Sequence, residues 1–168
     1  KNCQVILRQD HGDTSPALAQ TLKDLITQGK TVVNFLDDSM ANQIGVNSVK
    51  IASPTVWPAR VMYDAQTFSV GYNPLFQYVT PTDPRCSSVM MHENAVTGFR
   101  CTIGHGNFYQ VGALFYDIYN TNQYALANDL PAREHVLQNI LLEANVKAFV
   151  HVDADRVVAF ARKVKDDP

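Results

Sequence analysis

Short apolar runs of strand length and one strongly amphipathic stretch divide the first forty residues. Cys3 to Gln9 is such a run, closed by the polar corner Asp10-His11-Gly12-Asp13. Thr14 or Ser15 can then cap a helix, with Pro16 at the first helical position, where its missing N–H costs nothing. Leu18, Leu22, Leu25 and Ile26 recur at i, i+4, i+7 and i+8 and form one apolar stripe. Gly29 supplies a left-handed stop. Thr31 to Leu36 reads as a second buried strand, ended by Asp37-Asp38-Ser39. Strand, helix and strand in this order predict a βαβ unit with a right-handed crossover and two neighbouring parallel strands.

The rest of the chain changes character. A short helix over Met40 to Ile44 is closed by Gly45. Val49 to Ile51, Ala59 to Tyr63 and Thr67 to Val70 read as strands, the last two pairing across Asp64-Ala65-Gln66. Gly71 to Ser87 holds Pro74, Pro81 and Pro84 among Tyr72, Phe76 and Tyr78, and reads as a long loop. Val89 to Met91, Val96 to Ile103 and Phe108 to Tyr119 predict an antiparallel meander, turning at Glu93-Asn94 and at Gly104-His105-Gly106-Asn107. A last helix begins at Asp129, Leu130 and Pro131, presents Leu137, Ile140, Leu141 and Ala144, and stops at Asn145. Val146 to Val152 and Arg156 to Val164 then form a hairpin, although the second segment also fits helical spacing. The expected fold is a mixed α+β domain. It has an N-terminal βαβ unit, an antiparallel β-rich middle and a C-terminal helix with a hairpin, the helices packed on one mixed sheet. No repeat, low-complexity tract or linker divides the chain, so residues 1–168 read as one domain.

Composition narrows the function classes. The 168 residues are 46 % hydrophobic and 18 % charged, with a net charge of −2, which argues against intrinsic disorder. Fourteen basic residues against 16 acidic ones leave no surplus for neutralising phosphates, so a general nucleic-acid role is not expected. No apolar run is long enough to span a bilayer. The chain starts Lys1-Asn2-Cys3, without a methionine or a secretory signal, which reads as a processed chain or an excised domain. With few charges and many Asn and Gln residues, this tilts the reading toward an exported (periplasmic or extracellular) or viral protein.

Three cysteines, Cys3, Cys86 and Cys101, contain no CxxC pair. Either Cys86 and Cys101 bridge across paired strands, a bond worth about 3 kcal/mol for a loop of this length, or all three are reduced thiols.

Candidate chemistry clusters at three places. Parallel first and second strands would bring His11 and Asp13 to the same sheet edge as Asp37, Asp38 and Ser39. Open α/β sheets bind ligands at that edge. His11, Asp13, Asp37 and Asp38 could hold a divalent cation and, with Ser39, serve a small hydrolase. Asp, Gly, Ser and His are also what a strand-to-helix turn requires for capping and tight turning. Cys101 and His105 form a weaker nucleophile–base candidate, since four strand steps hold them about 13 Å apart unless the chain bends at Gly104. His92, on the preceding strand, could join Cys101 and His105 as a zinc ligand, but His92-Glu93 lacks the second His four residues on that a helical zinc protease needs. His135 and His151 read as surface or hydrogen-bonded core histidines. Tyr72, Phe76 and Tyr78, on a loop with little charge, are the kind of residues a protein-binding surface uses. Dinucleotide, P-loop, nucleophile-elbow and calcium-loop patterns are absent. The balance favours a non-catalytic protein-interaction or assembly domain with a protein partner, the alternative being the Asp/His hydrolase.

Overall fold

The computed structural model describes residues 3–8, 14–36, 39–50, 60–63, 66–69, 77–112 and 136–146. Nine strands and three helices fall within them. β1 (Val5–Arg8), α1 (Pro16–Thr27) and β2 (Thr31–Phe35) open the chain, followed by α2 (Ser39–Gln43) and β3 (Ser48–Lys50). β4 (Arg60–Tyr63), β5 (Gln66–Ser69) and β6 (Val79–Pro81) come next, then β7 (Cys86–His92), β8 (Ala95–Ile103) and β9 (Gly106–Val111). Residues 136–143 form α3. The fold is mixed α+β, as the hydrophobic pattern predicts.

Seven strands make one sheet in the order β1-β2-β9-β8-β7-β4-β5, and β3 and β6 form a separate antiparallel pair. β1 runs parallel to β2 with Val5 opposite Thr31 and Arg8 opposite Asn34. β9 lies parallel on the other side of β2, Asn34 facing Gln110. From β9 onward the pairing is antiparallel, through β8, β7, β4 and β5. The expected βαβ start and antiparallel middle are both present, and β9 joins them.

Strand alternation sorts the core into two faces. Val32, Phe99, Cys101, Ile103 and Phe108 pack with Ala19, Leu22 and Ile26 of α1 and with Met40, Ala41 and Ile44. Val33, Phe35, Met90, Tyr109 and Val111 pack on the opposite face with Val136 and Ile140 of α3. Each large side chain buried this way contributes about 1.5–3 kcal/mol.

α1 starts as its sequence dictates: the Ser15 hydroxyl accepts from Leu18 N and Pro16 stands at the first turn. Gly29 ends it at φ 102°. Its stripe is rotated from the expected one, however. Ala19, Leu22 and Ile26 are buried, while Leu18 is exposed. Lys23 lies on the flank toward α2, its amine near Gly45, so Leu18 falls on the flank away from α2. The small Ala19 lets α1 approach the sheet instead.

The segment 71–87 departs from the single long loop expected of it. β6 and the beginning of β7 lie inside it. Val79 to Pro81 pair with Ser48 to Lys50, and Pro81 ends the pair at a short edge, where a missing N–H is tolerated. Asp83 fixes the corner that follows. Its carboxylate accepts from the Arg85 side chain at 2.9 and 2.5 Å and from Arg85 N at 3.0 Å, and Arg85 also donates to the Gly45 carbonyl at 2.6 Å. The predicted strand beyond Gly112, the start of the last helix and the C-terminal hairpin lie outside the described residues.

The Asp83 corner makes a pH-dependent contribution. Hydrogen bonds from the Arg85 side chain and N–H hold the Asp83 carboxyl far below the usual carboxylate range. A carboxyl depressed in the folded state contributes fully above its unfolded value, near pH 4; the contribution declines below that and is lost only as pH falls through the far lower folded value. Asp83→Asn is expected to cost about 1 kcal/mol at neutral pH, discounted because Arg85 is half solvent-exposed. Urea unfolding at pH 7 and pH 3 checks this: the gap between the two proteins should be narrower at the lower pH.

Candidate functional site at the carboxyl edge of the parallel strands

β1, β2 and β9 are parallel, so their carboxyl ends share one edge of the sheet. At that edge each strand carries one polar residue on the face covered by α1. Arg8, Asn34 and Gln110 are all buried. The register sets them side by side, and they bond in sequence: Arg8 donates to Asn34 Oδ1 at 2.8 Å, and Asn34 Nδ2 donates to Gln110 Oε1 at 2.7 Å. One row deeper, Ile6, Val32 and Phe108 occupy the corresponding positions. Apolar packing therefore gives way to a polar ladder where the strands end. α1 begins at this same edge, because it leaves from the end of β1. Gln43 of α2 ties down its start by donating to the Thr14 carbonyl at 2.7 Å.

Sequence reasoning pointed to this edge through other residues and missed the ladder. The available signal was one polar residue at an inward position in each of three otherwise apolar strands. Of the predicted site residues, His11, Asp13, Asp37 and Asp38 lie outside the described residues. Ser39 is the first residue of α2. Among the described residues no group of His, Cys, Asp and Glu is arranged to hold a metal ion.

The Cys101–His105 nucleophile is corrected by the structure. Cys86 and Cys101 are directly opposite in the β7–β8 register, with Cα atoms 4.0 Å apart, and are joined as a disulfide. A bonded sulfur cannot be a thiolate, and the Cys101 side chain faces the buried core. His105 sits in the β8–β9 turn, its N–H donating to the Thr27 carbonyl at 3.2 Å. Cys3 is free and exposed.

Tyr72 and Phe76 lie outside the described residues. Tyr78 is half-buried, packs against the α3 side of the core and stacks on His92 with planes 4° apart. His135 and His151 also lie outside the described residues.

A second polar group occupies the other face. The Tyr109 hydroxyl donates to Glu143 Oε2, which also accepts from Arg100 at 2.7 Å. Burial, reinforced by the Glu143 carboxylate, pushes the Tyr109 phenol well above its usual range, so it stays protonated and keeps donating. This cluster fastens the end of α3 to β8 and β9.

No helix among the described residues is long and apolar enough to cross a membrane. No known family model matches the chain, and no curated protein matches it in sequence. Solved structures do share its architecture. Gan42B, a GH42 β-galactosidase, superposes with a TM-score of 0.63 at 10 % identity, over 88 % of this chain and 22 % of that one. A β-galactosidase from Bacillus circulans sp. alkalophilus gives 0.57 at 12 % identity, over 86 % of this chain and 22 % of that one. The exo-β-1,4-mannosidase Op5Man5 from an Opitutaceae bacterium gives 0.53 at 14 % identity, over 85 % and 25 %. At such identities the likeness is one of fold. The chain spans a quarter or less of the length of these enzymes.

Proposed function

We propose that this chain is a non-catalytic interaction or assembly module of an exported or viral system. The observation that carries the reading is the asymmetry of the structural matches. The architecture that accounts for 85–88 % of this chain fills only 22–25 % of the glycosidases that contain it. In those proteins it is one part of a longer polypeptide. The disulfide adds support for an oxidising compartment.

The contact points are large apolar side chains left outside a well-packed core. Leu142 is 68 % exposed on α3, although Val136 and Ile140 of the same helix are core residues. Leu7 is 48 % exposed, although its sheet partner Val33 is fully buried. Both lie on the α3 side of the sheet. The small net charge leaves little repulsion between copies, so the occupant we assign is a second copy of the chain.

Sedimentation of the purified chain across a concentration series tests this. The wild type is expected to associate as concentration rises. The double variant Leu7→Lys/Leu142→Lys should remain monomeric with an unchanged melting temperature, since both side chains are exposed. A wild type that stays monomeric throughout overturns the reading.

The alternative, a hydrolase using His11, Asp13, Asp37, Asp38 and Ser39, is favoured by the parallel pairing of β1 and β2. Those residues leave the ends of strands that share one edge. One divalent ion per chain retained through dialysis would decide for it against the non-catalytic reading.

A further inference from the structure

Among the described residues β1 is the outermost strand on the parallel side of the sheet, yet it carries the sequence of an interior strand. Val5 packs toward the α3 side of the core and Ile6 toward α1, and Leu7 stands half-exposed. Strands covered on both faces read as such unbroken apolar runs. β5, at the opposite end of the sheet, reads Gln66-Thr67-Phe68-Ser69, polar as an edge strand should be. Proteins normally blunt a bare edge with lysine, proline or a bulge. Cys3 to Leu7 contains no charge and no proline, and β1 follows β2 without a register shift.

The register fixes which backbone groups this edge offers. Thr31 N donates to the Gln4 carbonyl at 2.9 Å. In a parallel ladder alternate residues face the neighbouring strand, so Gln4, Ile6 and Arg8 serve β2. Val5 and Leu7 therefore turn both N–H and C=O away from β2. The Val5 carbonyl marks that direction: it accepts at 2.9 Å from the exposed Cys3 thiol, a weak donor that a backbone N–H would displace. The outward groups are complementary to themselves under a two-fold axis through Ile6. With two copies antiparallel, Val5 of each exchanges N–H···O=C bonds with Leu7 of the other, and the two Ile6 residues meet in the pair between them. Charge agrees with this direction. Lys30, bonded to Gln4, stands at the amino end of the strand, and Asp10 follows its carboxyl end in sequence, while Arg8 is turned inward to Asn34. Antiparallel pairing sets the basic end of one copy toward the acidic end of the other.

We propose that two copies of the chain join antiparallel along their β1 edges, so that their sheets continue as one. This rests on the self-association proposed above and gives it a geometry. Backbone hydrogen bonds set the register, Val5 and Leu7 of both copies close one apolar face, and the paired Ile6 residues close the other.

Amide hydrogen exchange read residue by residue across a concentration series tests it. The Ile6 and Arg8 amides, directed at β2, should be protected at every concentration. The Val5 and Leu7 amides should exchange freely in dilute protein and slow by about tenfold or more as the dimer fills. Leu7→Pro removes only an outward N–H, which an edge strand tolerates. It should weaken association on the order of thirtyfold, through one backbone bond lost from each copy. Ile6→Cys in a Cys3→Ser background should oxidise to a covalent dimer, because facing residues of that pair lie about 4.5 Å apart. Leu7→Cys in the same background should not, since its two copies would lie roughly 9 Å apart. The exchange and cross-linking results stand whether or not Leu7→Pro folds well. A wild type that associates while the Val5 and Leu7 amides stay fast, or an Ile6→Cys chain that associates without bridging, overturns the edge pairing and leaves self-association to another surface. A wild type that is monomeric throughout overturns both.

Discussion

Asn34→Leu is expected to lower the unfolding free energy by about 3–5 kcal/mol, more than an average core truncation. The substitution keeps the branched shape and heavy-atom count and opens no cavity, so the cost comes chiefly from what it strands. Arg8, buried at the end of β1, loses the Oδ1 that now accepts its NH1 at 2.8 Å. Gln110 Oε1 loses the donor at 2.7 Å and faces an aliphatic neighbour across the β2–β9 pair. Leaving a buried cation under-satisfied is among the few single changes that cost this much. Equilibrium urea unfolding measures it directly. A double-mutant cycle with Gln110→Leu adds a second check. With Asn34 already replaced, the Gln110 change should cost less than it does alone, by about 1–3 kcal/mol of coupling. Strict additivity would mean that the ladder does not act as a unit.

The same residues show where the sequence could be read and where it could not. The βαβ start was legible because its signals are local. Ser15 and Pro16 set the helix start, Gly29 the stop, and two apolar runs of strand length flank them. The meander was legible for the same reason: Glu93 and Gly104 take positive φ at the turns their neighbours punctuate. The ladder was not, because its meaning is set by register. Arg8, Asn34 and Gln110 are 26 and 76 residues apart in sequence and become neighbours only when β9 is placed beside β2. Nothing local dictates that β9, rather than an earlier strand, should fill that position.

The disulfide stood between. Two cysteines 15 residues apart on facing strands permit a bridge, but a one-residue slip would have sent the side chains to opposite faces. β6 was hidden for a third reason. Three residues, the last of them a proline, carry almost no strand signal of their own, and they pair only because β3 is held beside them. The Arg85 guanidinium, bonded to both Asp83 and the Gly45 carbonyl, fixes the corner that brings the two segments together.

Gly106→Ala is expected to cost about 3 kcal/mol or more, or to prevent folding, although the position is strand backbone that alanine adopts freely. The reason is space rather than conformation. A Cβ on Gly106 would run into the carbonyl oxygens of Ile26 and Lys30 and crowd Lys30 N. All three are backbone atoms of the corner between α1 and β2. That corner cannot yield cheaply. Lys30 N donates to the Leu25 carbonyl at 3.0 Å, Gly29 N to the Ile26 carbonyl at 2.9 Å, and Asn107 N to the Lys30 carbonyl at 3.3 Å. Pushing it outward would also pull Ile26, fully buried, from the core beneath α1. Gly45→Ala provides the contrast. Gly45 has φ 82°, a left-handed conformation that alanine disfavours, but the one atom near its Cβ is the mobile Lys23 amine at 3.6 Å. It should cost only about 1–2 kcal/mol. If thermal melts ranked the two in the opposite order, the tight seating of β9 against the α1–β2 corner would be wrong. The parallel placement of β9 beside β2 rests on that seating, and the register of the polar ladder rests on the placement.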